Sequence, residues 1–301
     1  MTESGTPIYT VDPDWGEPIG ARLTSPVLVV SLEGWVDAGL GASTAVAELV
    51  GTSATIPVAS FDTEVLIDQR ARRPIAQLVN GITTEVTWPS IQIIASTDGD
   101  GADVLYLVGP EPDFRWKAFL TAVVELVQQL GVRMVVGLGA FPAPAPHTRP
   151  VRLASTVPPQ SADLAGRVGF VQGTLEVPAG VQAALEMALG ALNVPVISLW
   201  ARVPHYVAAM PFPEASAALI DGLCAVSGLV FDTTAVRKAA AASRRQVDEL
   251  IADNAEHADM VRRLESSIDS EEASPFGIDI EVPSGDEIAA ELERFLRDEG
   301  S

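Results

Sequence analysis

Short apolar runs alternate along the chain with longer stretches in which apolar residues recur every three or four positions. That rhythm predicts strands alternating with helices. Val27-Leu28-Val29-Val30-Ser31-Leu32 is a continuous apolar run, the pattern of a strand covered on both faces. Residues 58–62, 104–108, 133–138 and 196–200 read as further strands. Residues 83–88 and 91–96, β-branched and parted by Pro89-Ser90, predict an antiparallel pair. Helices are expected over 42–50, 114–130, 181–192 and 215–226. In the second of these, Phe119, Val123, Leu126 and Leu130 share one face, Asp113 is placed to cap the start and Gly131 to stop the end. Residues 1–25, polar and rich in Pro and Gly, are expected to drape over the core. The order predicts an α/β fold: a mixed, mainly parallel sheet with helices on both faces.

The pattern changes past Asp232. Residues 233–301 hold 8 basic and 17 acidic residues and no buried-strand run. The expected organisation is therefore a core over 1–232, a long acidic helix over 233–270, a polar linker over 271–283, and an amphipathic helix over 284–301. Val247, Asn254, Val261 and Ile268, with Leu250, His257 and Leu264, fit three heptads and read as a weak coiled-coil seam. Ser284 and Glu287 form a capping box ahead of Ile288, Leu292 and Phe295.

Charge narrows the function classes. Nineteen Lys and Arg face 40 Asp and Glu, a formal charge of −21 that repels phosphate backbones and anionic lipid. Nucleic acid and membrane are thus not expected as partners. The acidic N-terminus lacks a signal-peptide pattern and no apolar run reaches the ~18 residues of a membrane span, so a cytoplasmic location is expected. Cys224, the single cysteine, excludes an internal disulfide and reads as the buried face of a helix.

Three segments following buried strands carry the candidate chemistry. Glu33-Gly34-Trp35-Val36-Asp37-Ala38-Gly39 offers two carboxylates at the carboxyl end of a strand, where ligand loops of parallel sheets lie. They can serve acid–base work or hold a metal; equally, Asp37 can cap the next helix. Residues 137–150 form a proline-stiffened segment bearing His147 and Arg149, fit for an anion or for a subunit contact. Residues 200–206 bring Trp200, His205 and Tyr206, a polar site or an aromatic packing surface. Asp37, His147 and His205 are expected to converge at one edge of the sheet. Arg70, Arg72 and Arg73 form the one basic cluster and read as a solvated loop pairing with acidic neighbours. No zinc spacing, Gly-x-Ser-x-Gly elbow or phosphate-gripping glycine loop is present, so no catalytic set, metal or cofactor is implied.

Together, Glu33 to Gly39, Pro146-His147-Thr148-Arg149-Pro150 and Leu199 to Tyr206 make the chain resemble the actinobacterial branch of the proteasome assembly chaperone 2 family, over about residues 25–265. The resemblance implies a nucleoside-phosphorylase-like α/β fold, a homo-oligomer (a trimer) and a chaperone-like scaffold with a protein client. The alternative is a small-ligand binder or enzyme, of hydrolase, phosphorylase or carboxylate–amine ligase type, using loops 33–39, 137–150 and 200–206. Tails that dock on proteasomes end in a hydrophobic residue, a tyrosine and one more residue. Here the last four are Asp298-Glu299-Gly300-Ser301, which argues against docking of that kind.

Overall fold

The computed structural model describes residues 7–34, 36–171, 173–252 and 254–272. The first half of the chain runs β1 (Tyr9–Val11), β2 (Val27–Glu33), α1 (Gly41–Gly51), β3 (Ile56–Phe61), α2 (Thr63–Leu66), β4 (Ile75–Val79), β5 (Ile82–Thr87), β6 (Gln92–Thr97), β7 (Asp103–Pro110) and α3 (Trp116–Gln129). The second half runs β8 (Met134–Ala143), β9 (Leu153–Thr156), α4 (Ala162–Ala165), α5 (Val181–Gly190), β10 (Val196–Pro204), α6 (Pro213–Ser227), α7 (Thr234–Ala252) and α8 (Ala255–Glu272).

Eight strands form one mixed sheet in the order β1-β3-β6-β7-β2-β8-β10-β9. Its four central strands, β7, β2, β8 and β10, are parallel to one another, and the antiparallel pairs lie toward the two edges. The continuous apolar run of β2 is split by the period of two. Val27 and Val29 enter the core under α1 and α6, whereas Leu28 and Val30 enter the core under α3 and α5. Ala45 and Leu223 fill the first layer, Phe119, Leu126 and Leu189 the second. Each fully buried aliphatic side chain contributes about 1.5–3 kcal/mol, so both layers hold the sheet.

Several sequence expectations need correction. Residues 82–87 pair not with 91–96 but with β4, across Asn80-Gly81. Both turn residues have positive φ, 52° and 83°, the two-residue hairpin geometry that an Asn-Gly pair favours. β6 joins the main sheet instead, between β3 and β7. The N-terminal stretch is more than a drape: β1 pairs with β3, and Trp15 and Ile19 are buried in the α3 layer. α3 starts at Trp116 after Arg115, without a side-chain cap; the Asp113 carboxylate instead accepts from the Asp68 amide and pairs with Arg72. β8 and β10 run in register as far as Ala143 and Pro204, so Gly137 to Ala143 and Trp200 to Pro204 are strand, not loop.

The helix expected over 233–270 is two helices. Asn254 begins the second, its side-chain oxygen accepting from the Glu256 and His257 amides, a capping arrangement that competes with helix continuation. The expected seam is not formed as drawn. Val247, Val261 and Ile268 are buried, but Asn254 and His257 are exposed and Leu250 is 59% exposed. Val247 packs into the core under α6. α8 runs on to Glu272, into the expected linker; the rest of that linker and the helix expected at 284–301 lie outside the described residues. Among the described residues no helix is long and apolar enough to cross a membrane.

Candidate functional site

β2, β8 and β10 are adjacent and parallel, so the segments after Glu33, Ala143 and Pro204 leave the sheet at one edge. Backbone hydrogen bonds tie the first to the third: the Gly39 amide donates to Ala208 O at 2.7 Å, and the Phe212 amide to Gly39 O at 2.8 Å. Asp37 forms a bridge to Ala140 and turns its carboxylate onto α1. It accepts from the Ala42 amide at 2.7 Å, the Ser43 amide at 3.0 Å and the Ser43 hydroxyl at 2.6 Å. That is a helix cap, which satisfies donors the first turn leaves open.

His147 is only 3% exposed. Its backbone N–H donates to Tyr206 Oη at 2.8 Å, Nδ1 lies 2.7 Å from the same oxygen, and Nε2 lies 3.0 Å from Asp248 Oδ1 on α7. The pattern selects a tautomer. The Asp248 carboxylate can only accept, so Nε2–H donates to it, and in the neutral ring that leaves Nδ1 to accept the Tyr206 hydroxyl proton. Burial pushes the Tyr206 hydroxyl up to about 12, with Glu265 and Asp248 adding in the same direction, so the phenol keeps that proton. The rings of His147 and Tyr206 meet edge to face, centroids 5.8 Å apart.

The next two residues reach α8. Thr148 Oγ1 donates to Glu265 Oε1 at 2.5 Å. Arg149 grips Asp269 through Nε at 2.9 Å and Nη2 at 2.8 Å, and Glu265 through Nη1 at 3.1 Å, the forked geometry suited to carboxylates. The hydrogen bond to Asp269 holds the Arg149 guanidinium protonated beyond its usual range and lowers the Asp269 carboxyl in return. Arg244 on α7 donates to Thr148 O at 2.7 Å. Residues 147–149 are thus latched to both tail helices.

The remaining predicted residues lie outside this latch. His205 opens a short 3-10 turn, is exposed, and touches Tyr206 edge-on at 5.3 Å. Trp200 sits in β10 and lies over Gly139, where a Cβ would come within 2.3 Å of the indole. Its Nε1 donates to Thr156 Oγ1 at 3.0 Å, and Thr156 donates to the buried Glu186 at 2.8 Å. Burial pushes the Glu186 carboxyl up. Glu33 ends β2 exposed and lines an open groove of about 530 Å³ with Arg72, Arg73 and Trp88. Trp35 lies outside the described residues. The three segments do meet at one edge, and His147 and His205 both touch the Tyr206 ring, whereas Asp37 turns away to cap α1. Beneath the latch, Pro146, Arg149, Arg202 and Ile268 enclose a space of about 10 Å³, room for roughly one water.

The partners Asp248, Glu265, Asp269 and Arg244 were missed from the sequence. The available signal was the four-residue spacing of Glu265 and Asp269, which places two carboxylates on one helix face. Among the described residues, no three His, Cys, Asp or Glu side chains group as a metal site. Cys224 on α6 is partly rather than fully buried, packed against the core, and burial raises its thiol.

The profile of the PAC2 family matches residues 31–251. A Corynebacterium glutamicum protein of unknown function is 30% identical, with 88% of this chain and 98% of that one aligned and a TM-score of 0.82. A Mycobacterium tuberculosis proteasome-assembly chaperone homologue is 34% identical over 78% of this chain and 99% of that one, TM-score 0.72. A PAC2 family protein from Streptomyces avermitilis is 33% identical over the same shares, TM-score 0.68. No curated protein matches the chain.

Proposed function

The chain belongs to the PAC2 family, and from that premise we propose that it is a chaperone-like, homo-oligomeric scaffold which offers its latched edge to a protein client. The observation that carries this reading is the latch: the side chains of His147, Thr148 and Arg149 are engaged by the chain's own α7 and α8. A ligand pocket is ordinarily several hundred Å³, against about 10 Å³ beneath these residues. An edge built of helices and side-chain ion pairs is a surface for another protein. The similarity to a Mycobacterium tuberculosis proteasome-assembly chaperone homologue supports the same class and makes proteasome subunits the first clients to test.

The small-ligand reading keeps one feature, the open groove of about 530 Å³ at Glu33, Arg72 and Arg73. Residues 137–150 and 200–206 do not line it, so it is not the site that reading named. Purified full-length chain, used as bait in extract of the source cell, separates the two. Recovered material is read by mass spectrometry for both proteins and metabolites. The scaffold reading expects a protein at near-stoichiometric recovery whose yield falls with Arg149→Glu. A metabolite retained near one per chain, with protein recovery unaffected by that substitution, overturns it.

A further inference from the structure

The β4–β5 hairpin is a two-stranded sheet separate from the main one. All five residues of β4 and all six of β5 are exposed. Ile75 is 74% exposed, Ile82 67%, Leu78 64%, and Trp88 just past the hairpin 60%. A lone hairpin is marginal in water, and large apolar groups left exposed on it mark a contact surface. Neither strand carries the Lys or Pro that blunts free edges; Glu85 is its one charge.

We propose that this hairpin is an arm that docks on the body of a second copy of the chain. The inference rests on the homo-oligomer reading above and names the surface that makes the oligomer. Charge selects this occupant. Residues 69–90 hold Arg70, Arg72 and Arg73 against Glu85, in a chain of net charge −21. Each copy therefore presents two exposed arginines, Arg70 and Arg73, at the base of the arm, and an acidic body. Arm against arm would set those arginines opposite their own counterparts, so the contact is arm on body. Such a contact is heterologous and passes from copy to copy until a ring closes. The groove under the arm, between Arg73, Trp88 and Pro110, is wide enough for a partner side chain. Arg72 is held to Asp113 and anchors the arm's base.

Sedimentation velocity of the full chain, between about 1 and 50 µM, tests this across the usual range of oligomer affinities. Wild type is expected at a multiple of 31.6 kDa. The doubles Leu78→Glu/Ile82→Glu and Arg70→Glu/Arg73→Glu, neither touching a buried position, should fall to the single-chain mass with an unchanged circular dichroism spectrum. A second measurement does not depend on how those variants behave. Asn80→Cys carrying a photo-crosslinker, in a mixture of light and heavy-isotope chains, should join the hairpin turn to acidic body segments of another copy. Oligomeric wild type with both doubles at wild-type mass overturns the arm, as do crosslinks confined to one chain or joining arm to arm; the scaffold reading survives these results. Wild type at the single-chain mass throughout overturns the homo-oligomer and the arm together, and leaves a different protein as the hairpin's occupant.

Discussion

Asp37 places both carboxylate oxygens on the first turn of α1, and its deletion should be felt there rather than in any reaction. Asp37→Ala is expected to lower stability by about 1 kcal/mol, measured by urea unfolding. Tyr206→Phe removes the oxygen shared by the His147 amide and Nδ1. With His147 buried, that change should cost about 1–3 kcal/mol. Glu186 gives a pH signature. Its folded carboxyl is raised above the ordinary 4.5 by burial, so the native state holds the proton more tightly than the unfolded chain. Stability from this group is complete below pH 4.5 and declines as pH rises from there toward the folded value. Glu186→Gln should therefore gain over wild type between pH 5 and 8 and show no gain at pH 4; equal slopes across that range would contradict the assignment. The shared edge of Asp37, His147 and His205 was legible because each follows a buried strand. The cap by Asp37 was legible too; the partners of His147, Thr148 and Arg149 were not, because Asp248, Glu265 and Asp269 lie about 100 residues further along the chain, in a tail whose composition marks it as separate.

Helices α7 and α8 show what composition hides. Their charge sets them apart from the core, yet Val236 and Val247 are buried beneath α6. A chain ending at Thr233 should still fold around the two layers of the sheet. It should also lose at least the ~3–6 kcal/mol that Val236 and Val247 contribute, visible as a lower urea midpoint. Protease cleavage between Pro144 and Arg152 should rise with it, since Asp248, Glu265 and Asp269 no longer hold that segment. An uncut segment would show that the latch is dispensable. Among the strands, β2, β7, β8 and β10 were legible because central parallel strands read as apolar runs. The edge strands β1 and β9 are three and four residues long and too polar to stand out. The hairpin was misread although Asn80-Gly81 marks it. β-branched residues flank Pro89-Ser90 as well, and only the positive φ at Asn80 and Gly81 decides which turn closes the pair.

At the scale of the whole molecule, the two core layers are complete within one chain, whereas the proposed arm would be covered only by a neighbour. Folding and assembly should then be separable. Where association binds only the folded chain, it adds stability by mass action, so the thermal midpoint of wild type should climb as concentration is raised tenfold. In the Leu78→Glu/Ile82→Glu variant the midpoint should stay fixed and match wild type at high dilution, because the substituted side chains are exposed. The family resemblance makes a trimer the expected ring. Native mass spectrometry should then find three times 31.6 kDa. Arm-on-body contacts also predict the mixed case. A variant arm leaves its own body able to receive a wild-type arm, so equal mixtures should give short open chains of mixed composition. A symmetric contact would instead exclude the variant from every complex. Mixed species absent from the spectrum would mean that the two partners use the same surface.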